Sequence, residues 1–380
     1  MKNNTIRLFQ IAGIPIGLDP SWFLVFALIT WVLAISYFPL EFKQWTTLQY
    51  WAVAAITSVL FFACVLLHEL GHSIVALRYK LQVKNITMYI FGGISQITSE
   101  PNEPLGEFVI AFAGPFTSLV LAGIFYLAEL AFRGIAPVFA MVKYLALINL
   151  TLAIFNLIPG FPLDGGRVFR AIVWGITHNL RRATEIAVLL GRGIAFIFIL
   201  LGVWLIFKGN WTNGLWIAFI GWFLENAALS QVQQQRIHTL LAGHTVEQVM
   251  SRTCVVAPAD ITLQELVDQY ILDKGQRCLI LMRGESAAGL TTLHNIRDVP
   301  RERWSTTTAS EVMTPISDVK RTRPDAGLEQ ALEQMGTDGV NQLPVMNDGQ
   351  VEGMLRREDI INYLKLLQNL DKRSANPQSE

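Results

Sequence analysis

Residues 51–77 read WAVAAITSVLFFACVLLHELGHSIVAL, an apolar run with two histidines and a glutamate near its end. A bilayer-spanning helix needs about 20 apolar residues, so this run is long enough to cross. Ionisable groups inside such a helix are costly, and their default reading is functional. His68-Glu69-Leu70-Gly71-His72 has the spacing H-E-x-x-H. On a helix, positions i and i+4 share a face, so both imidazoles can reach one ion. Glu69 sits beside the first of them, placed to act as a base. Cys64, one turn earlier on the same face, reads as a small buried core residue.

Working outward, five more apolar segments lie at 22–38, 108–131, 137–159, 184–207 and 213–229. The 380-residue chain is 52% hydrophobic and only 16% charged, against about 25% for an average soluble protein. Residues 1–230 hold 24 of the 60 charged residues and nine of the ten tryptophans. The fold class is therefore a polytopic α-helical membrane protein of about six transmembrane helices, followed by a soluble α/β domain. Lys plus Arg equals Asp plus Glu at 30 each, so the net charge is zero. That excludes direct nucleic-acid binding driven by a basic surface. Three scattered cysteines exclude a disulfide framework. Residues 1–20 have no cleavable signal pattern, and 5–18 read as a short interfacial strand or hairpin.

Basic residues in short loops set the orientation. With the N-terminus inside, Lys2, Arg7, Arg78, Lys80, Lys84, Arg167, Arg170, Arg181 and Arg182 face the cytoplasm; Lys43, Arg133 and Lys208 face out. Six spans then bring the C-terminus to the cytoplasm as well. Arg192, inside the fifth segment, either pairs with Glu225 or sits on turns protruding into the cytoplasm; the second reading is preferred.

Two histidines leave a zinc site short of its usual three protein ligands. The best source of a third is the stretch NLIPGFPLDGGR, residues 156–167. Its prolines and glycines break the fourth helix, and broken backbone at membrane depth is tolerated where it lines a cavity. Asp164 then points a carboxylate into that cavity; the alternative is a cap on the following helix. The second and fourth spans both run outside to inside, so His68, His72 and Asp164 come to similar depth.

HELGH in one span and NLIPGFPLDGGR after a later one resemble the site-2 protease family of intramembrane zinc metalloproteases, over residues 1–230. The resemblance implies one Zn2+ held by His68, His72 and Asp164, with Glu69 as catalytic base. It implies substrates that are membrane-spanning segments of other proteins. Asn156 matches a family asparagine that would support substrate or transition state. Ala113-Gly-Pro-Phe-Thr-Ser118 is similar to the family's G-P-x-x-N, but Ser118 replaces the asparagine, which puts a hydrogen bond from this position in question.

Residues 83–98 alternate apolar and polar around Gly92-Gly93 and read as a membrane-associated β-hairpin. Its edge is expected to pair with an unwound substrate by strand addition, or to be purely structural.

The soluble part contains a repeat of about 64 residues. Val249-Met250 answers Val312-Met313, Cys278–Leu281 answers Leu343–Met346, and Gly289-Leu290 answers Gly353-Met354. Each unit reads strand, helix, strand, strand, helix, with Asn347-Asp348-Gly349 as a hairpin turn. The pair resembles cystathionine-β-synthase (CBS) motifs, at 244–300 and 308–366 within a module of 244–366. A linker at 231–243 precedes it, and a polar, disordered tail at 367–380 follows. The resemblance implies either an adenine nucleotide in the cleft, with Thr292 and Asp359 as contacts, or a structural module that makes a homodimer. Neither repeat keeps the whole nucleotide pattern: Asn295 stands at the first repeat's Asp position, and Arg356 at the second repeat's Ser/Thr position.

The sequence therefore reads as an intramembrane zinc metalloprotease regulated through a cytoplasmic CBS module. The rival readings are a CBS-regulated transporter, disfavoured by the scarcity of polar groups in the spans, and a catalytically inactive relative, disfavoured by Glu69 and Asp164.

Overall fold

The computed structural model of the chain describes residues 5–90, 92–97, 101–252, 255–273, 278–284, 286–347 and 350–375. It divides into two compact units, with the boundary between Gln233 and Gln234.

The first unit begins with an antiparallel hairpin, β1 (Ile6–Ile11) and β2 (Ile14–Leu18). Helix α1 (Ser21–Val32) continues through a π turn (Leu33–Tyr37) into α2 (Phe38–Glu41). A capping box at Thr46 and Gln49 starts α3 (Thr47–Arg78), satisfying backbone N–H groups that a helix start leaves open. Strands β3 (Val83–Tyr89) and β4 (Gly92–Ile97) follow. The expected hairpin is present, but it does not stand alone. β3 also pairs in parallel with β2, giving a four-stranded sheet in the order β1-β2-β3-β4. Its inner face packs on α3: Ile14 and Ile86 against Leu70, and Met88 against Phe62 and Val65. β4 is an edge strand.

Helices α4 (Pro104–Ala131) and α5 (Ala136–Asn156) form a pair. After a tight turn at 157–163 comes a short amphipathic helix, α6 (Asp164–Thr177), then α7 (Leu180–Phe207) and α8 (Trp211–Leu241). Among the described residues, five helical stretches are long and apolar enough to cross a membrane: Ser21–Glu41, Thr47–Arg78, Pro104–Ala131, Ala136–Asn156 and Leu180–Phe207. The sixth apolar segment, 213–229, lies within α8. Most of 231–243, read as a linker, is also part of α8, whose last residue Leu241 is buried in the core of the second unit.

In lipid there is no hydrophobic drive between helices, so small residues and polar contacts hold them. At Gly202 on α7 an added Cβ would meet the Ala218 backbone nitrogen at 2.5 Å and the Gly214 carbonyl at 2.6 Å. Thr30 bonds Ser58 across α1 and α3 at 3.0 Å. Arg192 Nε donates to Glu225 Oε1 at 2.8 Å, joining α7 to α8. The pairing read as one alternative for Arg192 is therefore present, and it satisfies both charges.

In the second unit, β5 (Val256–Pro258) runs parallel to β6 (Cys278–Arg283), which pairs with β7 (Ser286–Thr292). Helix α9 (Leu263–Leu266) lies between β5 and β6, and α10 (Leu293–Arg297) ends the repeat. The second repeat has α11 (Ala309–Val312), β8 (Thr314–Pro315), α12 (Leu328–Asp338), β9 (Gln342–Asn347), β10 (Gln350–Arg356) and α13 (Arg357–Ala375). Asp348 and Gly349 of the expected hairpin turn lie outside the described residues; the flanking Asn347 and Gln350 pair as a hairpin requires.

The repeats exchange their leading segments. β8 of the second adds to β7 of the first, while Ser251 of the first bridges Met354 of the second. Two glycines permit this. A Cβ at Gly289 would meet Met313 Sδ at 2.6 Å, and one at Gly353 would meet the Ser251 carbonyl at 2.8 Å. These are the matching glycines and Val-Met pairs of the sequence repeat. Residues 367–375, read as the start of a disordered tail, continue α13; residues 376–380 lie outside the described residues.

Candidate metal centre

His68 and His72 lie one turn apart on α3, both 4% exposed. Asp164 is the first residue of α6. The N-cap position belongs to Leu163, which makes no side-chain cap bond. The Asp164 carboxylate instead faces the histidines. Its Oδ2 lies 3.1 Å from His68 Nε2 and 3.2 Å from His72 Nε2, and the two Nε2 atoms are 3.3 Å apart.

Each imidazole is held from behind. His72 Nδ1 donates to the Ile110 carbonyl on α4 at 2.7 Å, and His68 Nδ1 lies 2.8 Å from Ser118 Oγ, also on α4. With Nδ1–H committed outward, the neutral ring turns the Nε2 lone pair inward, the arrangement typical of metal-binding histidines. Ser118 therefore makes the bond that the replacement of asparagine put in question. Its hydroxyl is shorter than an amide but reaches the ring, because α4 lies close to α3 there.

That closeness is set by glycine. A Cβ on Gly114 would collide with His72 Nε2 and lie 2.7 Å from His68 Nε2. A Cβ on Gly71 would lie 3.0 Å from the Ala113 carbonyl and collide with Thr117 Oγ1. The second side of the cleft is the turn before α6. A Cβ at Gly165 or Gly166 would run into the backbone of that same turn, and one at Gly160 would lie 2.5 Å from Gly191 Cα on α7. Sequence reasoning credited these glycines with breaking a helix; their closer role is to let backbone pack on backbone.

Glu69 is half-buried and points toward β4. Its carboxylate hydrogen-bonds Ser95, and a Cβ on Gly93 would lie 2.5 Å from Glu69 Cγ. The edge strand therefore passes directly over the glutamate. Asn156 closes α5, half-buried, and is not one of the three converging residues. Cys64 is buried and is also outside the group.

The donor set fits one divalent ion. Zn–N and Zn–O distances of about 2.0–2.1 Å imply donors about 3.3–3.4 Å apart around a tetrahedron, close to the three separations found. Two imidazoles and a carboxylate, buried and backed by outer hydrogen bonds, leave a fourth position open, as hydrolytic zinc sites do.

In the second unit, Thr292 caps α10. Its Oγ1 donates to Asn295 Oδ1 at 2.6 Å, and Asn295 Nδ2 donates to the Val312 carbonyl at 3.1 Å. Asp359 Oδ2 accepts from the Arg356 backbone N–H at 3.1 Å. Each of the two residues thus bonds at the start of its own helix. A surface cavity of about 580 Å³ opens at the other end of β6 and β7, lined by residues including Asp260, Arg283 and Ser310.

Sequence reasoning counted Arg170 only among the cytoplasm-facing basic residues and missed its buried pairing with Glu107. Arg170 Nε donates to Glu107 Oε1 at 2.6 Å, linking α4 to α6 with both residues almost fully buried. The signal available was a glutamate directly before the apolar segment 108–131, which the structure includes in α4.

The chain is similar to known metalloproteases. The family model for peptidase family M50 matches residues 56–135 and 131–200, and that for the CBS domain matches residues 309–366. A Synechocystis protein named "Putative zinc metalloprotease sll0528" is 32% identical over 366 residues, 96% of each chain. "Zinc metalloprotease MJ0392" of Methanocaldococcus jannaschii is 26% identical over 368 residues, 96% of this chain and 98% of that one. A solved site-2 protease from Methanocaldococcus jannaschii is 30% identical, with a TM-score of 0.41, covering 60% of this chain and 94% of that one. With a buried two-histidine, one-carboxylate centre in an apolar helical unit and a relative this similar along nearly its whole length, the chain belongs to peptidase family M50, the site-2 proteases.

Proposed function

We propose that this chain is an intramembrane endopeptidase that hydrolyses peptide bonds in the membrane-spanning segments of other proteins. The observation that carries the reading is the convergence of His68, His72 and Asp164 beside Glu69. His68, His72 and Asp164 would hold one zinc ion. When bound there, zinc supplies Lewis acidity that polarises a scissile carbonyl and makes water more acidic. Glu69 takes the proton of the attacking water and gives it to the leaving nitrogen. Asn156, at the end of α5 before the turn leading to Asp164, supports the substrate or transition state.

A helical substrate must be unwound before its carbonyls can be attacked. The outer edge of β4 suits this role, being the last strand of its sheet and crossing Glu69. A substrate strand added there would lie next to the base.

The basic-residue bias supports cytoplasmic termini, a multi-pass span through residues 1–230 and a cytoplasmic module at 244–366. The module is proposed to regulate cleavage, either by binding an adenine nucleotide through Thr292 and Asp359 or by pairing two copies of the chain.

Three measurements test these statements. In proteoliposomes with a tethered membrane-spanning substrate, Glu69→Gln is expected to abolish cleavage while the protein still holds one zinc per chain; undiminished cleavage contradicts the assignment of the base. Ile94→Pro in β4 is expected to abolish cleavage with zinc retained, and normal cleavage by that variant contradicts strand addition. Addition of ATP or AMP is expected to change the cleavage rate if the module senses nucleotides; binding with no change in rate counts against it.

A further inference from the structure

Among the described residues, the most deeply buried ion pair in the membrane unit lies next to the metal centre and takes no part in the chemistry. Glu107 and Arg170 have side chains 1% and 3% exposed, and Arg170 bonds Glu107 Oε1 through both Nε and Nη2. Charges so far from water persist only when tightly paired, and Arg suits this because its planar fork fixes geometry as well as charge. The guanidinium also lies over the Phe161 ring, 5.3 Å from its centroid. Phe161 is itself buried, in the turn that delivers Asp164.

Position gives the pair its meaning. α6 begins at Asp164 and carries Arg170 six residues on. α4 carries Glu107, then Ile110 against His72, then Ser118 against His68. One helix thus holds both histidines from behind. The same helix, through Glu107, grips the helix and turn that present the carboxylate. The turn at 157–163 also packs on α7, through Gly160 against Gly191 and Phe161 against Ala187 and Val188, so the ion pair adds a second hold from α4.

We propose that Glu107 and Arg170 are positioning residues, a clamp that fixes Asp164 at bonding distance from the His68–His72 pair. The clamp is the outer support of the carboxylate, as Ile110 and Ser118 are of the imidazoles. This rests on the zinc assignment above.

A merely structural ion pair would lower stability without reference to Asp164, so a double-mutant cycle separates the two roles. The full-length protein in detergent is titrated with zinc against a chelator of known affinity, and the zinc-free form is melted in parallel. Glu107→Gln is compared with the double variant Glu107→Gln/Arg170→Met, which leaves no buried charge alone and carries the comparison if the single variant does not fold. Loss of such outer support weakens metal binding by about 10–100-fold, and that is the effect expected while Asp164 is present. In an Asp164→Ala background the same substitutions are expected to change zinc affinity by less than about twofold. Equal weakening in both backgrounds, or no weakening in either, overturns the clamp. A wild-type protein that binds no zinc overturns the metal assignment and the clamp with it; a wild type that binds zinc no more tightly than the clamp variants overturns the clamp alone.

Discussion

Gly114 leaves no room for a methyl group between α4 and two imidazoles, and the centre depends on that close approach. With α4 this near, the Ile110 carbonyl and Ser118 hydroxyl reach the Nδ1 atoms of His72 and His68. With Nδ1 held, both Nε2 atoms face inward and meet Asp164. Gly71 plays the matching part on α3, and Gly160 and Gly191 do the same where the Asp164 turn packs on α7. In a bilayer, where apolar burial gives helices no reason to associate, such backbone-to-backbone packing and a few buried polar bonds are the available forces.

The metal centre is legible in the sequence to the extent that its signal is local. His68, Glu69 and His72 fall on one helix face by spacing alone, and Asp164 stands out because prolines and glycines break the helix before it. The hairpin at 83–97 is also legible, since alternation and a glycine turn are local patterns. What is not legible depends on distance along the chain. The parallel pairing of Ile16 with Ile86 joins segments seventy residues apart and has no signature in either. The Glu107–Arg170 bond spans 63 residues, and neither partner has a motif around it. Ser118 stands where the resemblance calls for asparagine, which by itself suggests a lost bond. Its reach depends on how close two helices lie, which the sequence states only indirectly, through Gly114.

The soluble unit is a more symmetric case. Its internal repeat is readable, yet the exchange of leading strands between repeats is not. Gly289 and Gly353 are matching positions of the repeat in sequence; in the structure a Cβ on Gly289 would meet Met313 and one on Gly353 would meet the Ser251 carbonyl and Met250. The CBS resemblance implies Thr292 and Asp359 as nucleotide contacts, and in the structure their hydrogen bonds lie at the starts of their own helices. Polar residues at helix starts often resemble ligand-binding patterns, because both roles present oxygen atoms near free backbone N–H groups.

The central claim is that two imidazole nitrogens and one carboxylate oxygen hold one zinc ion. X-ray absorption at the zinc edge of the purified, zinc-loaded protein tests it most directly. The account predicts one zinc per chain with only nitrogen and oxygen neighbours at about 2.0–2.1 Å and the scattering pattern of two imidazoles. A sulfur neighbour at about 2.3 Å, which would place Cys64 on the metal, or a well-folded protein that holds no zinc, would contradict it.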